Sequence, residues 1–225
     1  MAGVLARVPV CYHVAVSQRE REVLAEAGIE VAVLDEIGRH AAVRSECLRA
    51  AQRIQRRRCR TIGLLPASAE VSVVGIGVNL AIAMAELSGS TMAYIDANQR
   101  WPALAPLLAS ELSSTVDTTG AHPFETRWLR GDVALLVPHR GAVSGAGLVE
   151  LEKLLASSNE IFECSLVDLT GWRKLGEHLS AYSLLDGIVV VARADVTTED
   201  QLLRIGHELP EERHLGVLLL GCNNA

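Results

Sequence analysis

From residue 61 onward the chain alternates short, continuous apolar runs with longer segments of helical period. The runs at 61–65, 91–95, 133–137, 164–168, 187–192 and 215–220 predict strands, and 75–88, 103–110, 147–158, 173–181 and 198–208 predict helices. Strands that are apolar at every position, not every second one, are covered on both faces. The pattern therefore predicts an α/β fold: a mostly parallel sheet with helices on both faces and right-handed crossovers. Gly89 is placed to stop the helix at 75–88. Ahead of this region, 8–16 reads as a strand, Ser17 and Glu20 form a capping box for a helix closed by Gly28, and 29–34 reads as a second strand. Residues 1–40 thus predict a β–α–β extension, with no assignable motif, packed on a main domain of 41–225. A helix at about 41–58 ends in the basic run RIQRRRCR, and 111–131, polar and without period, predicts a long loop.

Composition narrows the picture. With 225 residues, 49% hydrophobic but only 4% aromatic, the core must be built from aliphatic side chains. A net charge of −6 argues against nucleic acid as the main partner. Cys11, Cys47, Cys59, Cys164 and Cys222 show no C-x-x-C spacing, which fits reduced thiols in a cytoplasmic protein. No apolar run is long enough to span a bilayer, so any membrane association is expected to be peripheral, through a partner.

In a sheet of this kind ligands bind beyond the carboxyl ends of the strands, which directs attention to four segments. The strand at 61–65, the connector 66–74 and the apolar helix after it have the frame of a phosphate-binding P-loop. The connector, Pro66-Ala67-Ser68-Ala69-Glu70-Val71-Ser72-Val73-Val74, has no glycine and no lysine, and Glu70 adds a carboxylate. Asp96 ends a second strand and is followed by Asn98, Arg100 and Pro102. It could hold Mg²⁺ through water or orient a nucleophile, with Arg100 on a phosphate or a neighbouring subunit; alternatively it caps the following turn and Arg100 is solvated. Asp168 ends another strand in the manner of a Walker-B carboxylate. The run Arg53, Arg56, Arg57, Arg58 and Arg60 could meet phosphate, acidic lipid or an acidic protein face, or be a solvated helix C-terminus. Gly75 and Gly77 lack the third glycine of a dinucleotide fingerprint and point to close helix–sheet packing. His122 and His139 read as lone surface histidines.

Taken in order, these segments resemble the MinD/ParA-type deviant Walker ATPases, and within them the cytoplasmic domain of the bacterial tyrosine kinases of capsule and exopolysaccharide synthesis. The family's E-x-x-R-x-x-R interface helix is met by Glu46 and Arg49, with Gln52 at the third position and Arg53 beside it. Its N-L-A triplet is met by Asn79-Leu80-Ala81, which sets Val73 and Val74 where the family has lysine and Ser or Thr. Its D-x-D-x-R-x-P motif is met by Asp96, Asn98, Arg100 and Pro102, and its metal-side aspartate by Asp168. The resemblance covers roughly 41–221 and implies a P-loop-like three-layer fold. It also implies that Ser68, Ser72, Val73 and Val74 form a degenerate nucleotide loop; the last tyrosine, Tyr182, leaves no tyrosine-rich tail. Loss of the lysine alone removes a contact worth about 1.5–3 kcal/mol. The expectation is therefore a cofactor-free, catalytically inactive regulatory or scaffolding relative with no metal. Its partner would be a second copy, an active kinase or a membrane protein of polysaccharide export. Alternatives are a working ATPase or kinase using ATP and Mg, or a MinD-like positioning protein of a pilus or secretion system.

Overall fold

The continuous apolar runs become the inner strands of one sheet in a computed structural model that describes residues 6–7, 44–97, 104, 124–129, 132–138, 147–194 and 196–221. In chain order the elements are β1 (Ala6–Arg7), α1 (Arg44–Gln55), β2 (Thr61–Pro66), α2 (Val74–Ser88), β3 (Met92–Asp96), β4 (Phe124–Leu129) and β5 (Val133–Pro138). There follow α3 (Gly147–Ile161), β6 (Cys164–Asp168), α4 (Trp172–Leu175), α5 (His178–Ser183), β7 (Gly187–Arg193), α6 (Glu199–Glu208) and β8 (His214–Leu220). The eight strands form a single sheet in the order β1-β8-β7-β2-β6-β3-β5-β4, parallel throughout except for β4.

Side-chain alternation along the buried strands builds two cores. Ile62, Leu64, Tyr94 and Leu166 face α1 and α2, whereas Leu65, Ala93, Ile95 and Val167 face α3, α4, α5 and α6. Helix α2 lies between the sheet and α1, so every residue from Val74 to Ala85 is buried. This explains why its sequence is apolar all round rather than amphipathic. Gly89 ends it in the left-handed conformation with φ 67°, its N–H donating to the Ala85 carbonyl. Gly77 is required by close approach: a Cβ there would lie 2.2 Å from Tyr94 Cε2.

Two expectations need correction. The stretch 111–131 contains strand β4, pairing antiparallel with β5 from Phe124 to Leu129. Its alternating FETRWL pattern is that of an edge strand, which an argument from continuous apolar runs passes over. The helix at 173–181 is two short helices, broken at Gly176 with φ 73°. The strands at 8–16 and 29–34, the helix between them and the helix at 103–110 lie outside the described residues. Cys47, Cys59 and Cys164 are free thiols, and burial pushes Cys47 and Cys164 up to about 12, so both stay protonated.

Candidate functional site

The site expected from the sequence lies where β2, β3 and β6 end beneath the start of α2. On β3, Met92, Tyr94 and Asp96 share the face toward α2; on β6, Cys164, Leu166 and Asp168 do the same. The register sets Asp96 directly beside Asp168 on the neighbouring strand, and both are wholly buried. Thus the structure brings together two of the sequence-predicted residues.

Their carboxylates are already engaged. Asp168 Oδ2 accepts from the Tyr94 hydroxyl at 2.7 Å, and Oδ1 accepts from the Thr170 N–H at 2.8 Å. Burial pushes the Asp168 carboxyl above the usual aspartate range, while the hydrogen bonds from Thr170 and Tyr94 pull it back. Burial, with the adjoining Asp168 and Asp96 carboxylates, raises Tyr94 well above 10, so it is a phenol and a hydrogen-bond donor at all relevant pH. Asp96 Oδ2 accepts from the Leu104 N–H at 2.7 Å. Tyr94 was missed by the sequence reading although its signal was present: it stands two residues before Asp96 on a strand, hence on the same face.

The connector between β2 and α2 turns its valines into the core. Val71, Val73 and Val74 are buried and belong to the α2-side core, whereas Glu70 and Ser72 are exposed and Ser68 is half-buried. A tight turn closes the loop, Val71 N–H donating to the Ser68 carbonyl at 3.2 Å, and Val73 starts the helix without a side-chain cap. A P-loop needs glycines so that backbone N–H groups can wrap phosphate, and a cation to neutralise it. Here the β-branched side chains of Val71, Val73 and Val74 are buried in the α2-side core. The turn supplies neither a glycine nor a lysine from its own residues.

Beside the loop, toward the opposite core, lies a cleft of about 370 Å³ lined by Ser68, Thr170, Gly171, Arg173 and Lys174 among others. Arg173 pairs with Glu208 at 3.0 Å.

The basic run divides. Arg53, Arg56, Arg57 and Arg58 are exposed around the end of α1, Arg58 with φ 55°. Arg60 instead reaches the end of α3, donating to the Asn159 carbonyl and, at 3.3 Å, to that of Phe162, where a cation completes the helix C-terminus. Glu46, Arg49 and Arg53 all lie on α1 at spacings that share one helix face, and Arg49 and Arg53 are exposed. Asn98, Arg100, Pro102, His122, His139, Cys11 and Cys222 lie outside the described residues.

No protein-family model and no curated protein matches the chain. Solved structures do. The BceF tyrosine kinase domain superposes with a TM-score of 0.54 at 16% identity, covering 95% of this chain and 93% of that one. The VpsO kinase domain gives a TM-score of 0.57 at 15% identity, covering 79% of this chain and 97% of that one. The kinase domain of the Escherichia coli tyrosine kinase ETK gives 0.57 at 15% identity, covering 84% and 76%. At such identity the likeness is one of fold: the mostly parallel α/β sheet of bacterial tyrosine kinase domains. Among the described residues, no helix is long and apolar enough to cross a membrane.

Proposed function

We propose that this chain has the scaffold of a bacterial tyrosine kinase domain without its nucleotide chemistry, and works as a regulatory or scaffolding subunit in exopolysaccharide synthesis or export. The observation that carries this reading is the interior of the 67–74 turn. Val71, Val73 and Val74 are packed into the core where a P-loop presents backbone N–H groups, and both oxygens of Asp168 are bonded within the fold. Rearranging the turn to admit a triphosphate would expose those valines, each costing on the order of 1.5–3 kcal/mol. Its partner would be a second copy, an active kinase or a membrane protein of export, with the α1 face of Glu46, Arg49 and Arg53 as one contact. Isothermal titration with ATP and Mg²⁺ is expected to show no saturable binding up to millimolar nucleotide. Saturable binding in the micromolar range would sink the reading.

A second reading, an ATPase or kinase with an unorthodox loop, is favoured by one observation: Asp96 and Asp168 still stand side by side at their strand ends. It requires ATP turnover by the parent protein that Asp168→Asn abolishes. Absence of turnover in the parent ends it.

A further inference from the structure

The sheet ends in β1 on one side and β4 on the other. At one end the described part of the edge is Ala6–Arg7 of β1; at the other β4 runs for six residues in unbroken register with β5. Among the described residues nothing pairs with the outer side of β4. Proteins that keep such an edge to themselves usually protect it with lysine, proline, a bulge or brevity. The β4 sequence, Phe124-Glu125-Thr126-Arg127-Trp128-Leu129, holds no lysine and no proline, and no bulge interrupts it. It also carries Trp128 47% exposed, its ring 5.8 Å from that of Phe162 on the face opposite α2, and Ile161 next to Phe162 is 63% exposed.

The order of residues along β4 is complementary to itself. Reversed and laid antiparallel about Thr126, the strand sets Thr126 opposite Thr126, Glu125 opposite Arg127 twice, and Phe124 opposite Trp128 twice. Opposite charges and aromatic pairs placed directly across two strands are the combinations that stabilise a ladder. A two-fold axis through the strand centre makes each of them count twice. We propose that β4 is a homodimerisation edge. Two copies pair antiparallel through Phe124–Trp128 with Thr126 on the dyad, making one continuous sheet across the dimer. This surface is separate from the α1 face and from the 67–74 turn, and it does not depend on whether nucleotide binds.

The test is sedimentation velocity of the full chain and three variants, Glu125→Arg, Arg127→Glu and the exchange of both, with circular dichroism to establish folding. Each single reversal sets like charges opposite each other at two places. It should weaken the dimer about tenfold, and the exchange, which restores both pairs, should recover parental association. Arg204→Glu, exposed on α6, should leave the β4 dimer intact. The proposal is overturned if the folded parent is monomeric up to high micromolar concentration, since the edge then serves another partner or none. It is equally overturned if the exchange associates no better than the single reversals, or if the α6 substitution alone dissolves the dimer.

Discussion

Gly77→Ala is expected to destabilise the fold by about 3 kcal/mol, the opposite sign to the same exchange at Gly206. In an exposed helix interior alanine is favoured over glycine by roughly 1 kcal/mol, and a Cβ at Gly206 meets nothing within 4 Å. Gly206→Ala should therefore raise the urea midpoint. At Gly77 the new methyl would stand 2.2 Å from Tyr94 Cε2 and 2.9 Å from Leu64 Cδ1. A surface side chain would swing aside, but Tyr94 is fully buried and its hydroxyl is tied to Asp168 at 2.7 Å. Either the ring moves and leaves a buried carboxylate short of a donor, or α2 lifts from the sheet and opens the core that Val73 and Val74 help to fill. Urea unfolding at constant m-value measures both substitutions. A Gly77→Ala protein as stable as the parent would show that the helix rides higher on the sheet than this packing requires.

The same contact shows how far the sequence could be read. Gly75 and Gly77 pointed to close helix–sheet packing because they fall inside an apolar helix and not in the turn before it, and Gly77 packs as that reading requires. The inner strands were legible because burial on both faces writes an uninterrupted apolar run. Strand β4 was not, because an edge strand needs only one buried face and its Glu125, Thr126 and Arg127 read as loop. The break at Gly176 was hidden for a different reason: an isolated glycine costs a helix little, and only the left-handed φ of 73° turns it into a terminus. At the candidate site, the absence of lysine and glycine was visible residue by residue. The burial of the valines and the reach of Tyr94 to Asp168 were not, since both depend on register between distant segments. The period of two along 92–96 set Tyr94 and Asp96 on one face, but only the pairing of β3 with β6 brings that face to Asp168.

That bond leads to a pH-dependent result. Tyr94→Phe is expected to cost about 1–3 kcal/mol at neutral pH, because it leaves Asp168 Oδ2 buried with one donor fewer. The cost should shrink in acid. Burial raises the folded-state value of Asp168 above the ordinary 3.8, against the pull of the Thr170 and Tyr94 hydrogen bonds. A group whose folded value is raised favours the fold when protonated. Its contribution is complete below the unfolded value near 3.8 and is lost as pH rises through the higher folded value. Removing the Tyr94 hydroxyl takes away one of the groups that hold the value down, so in Tyr94→Phe the loss extends further toward neutral pH. The stability difference between parent and variant should therefore widen from mildly acidic to neutral pH. Asp168→Asn removes the titrating group, and in that background Tyr94→Phe should cost less and show no such widening. Urea unfolding of the four proteins across this range gives the double-mutant cycle directly. If the Tyr94→Phe penalty is the same at every pH, Asp168 does not titrate against that hydroxyl. If the penalty follows the predicted course, Asp168 is held by a tyrosine of its own sheet, and its role here is to fix β3 against β6.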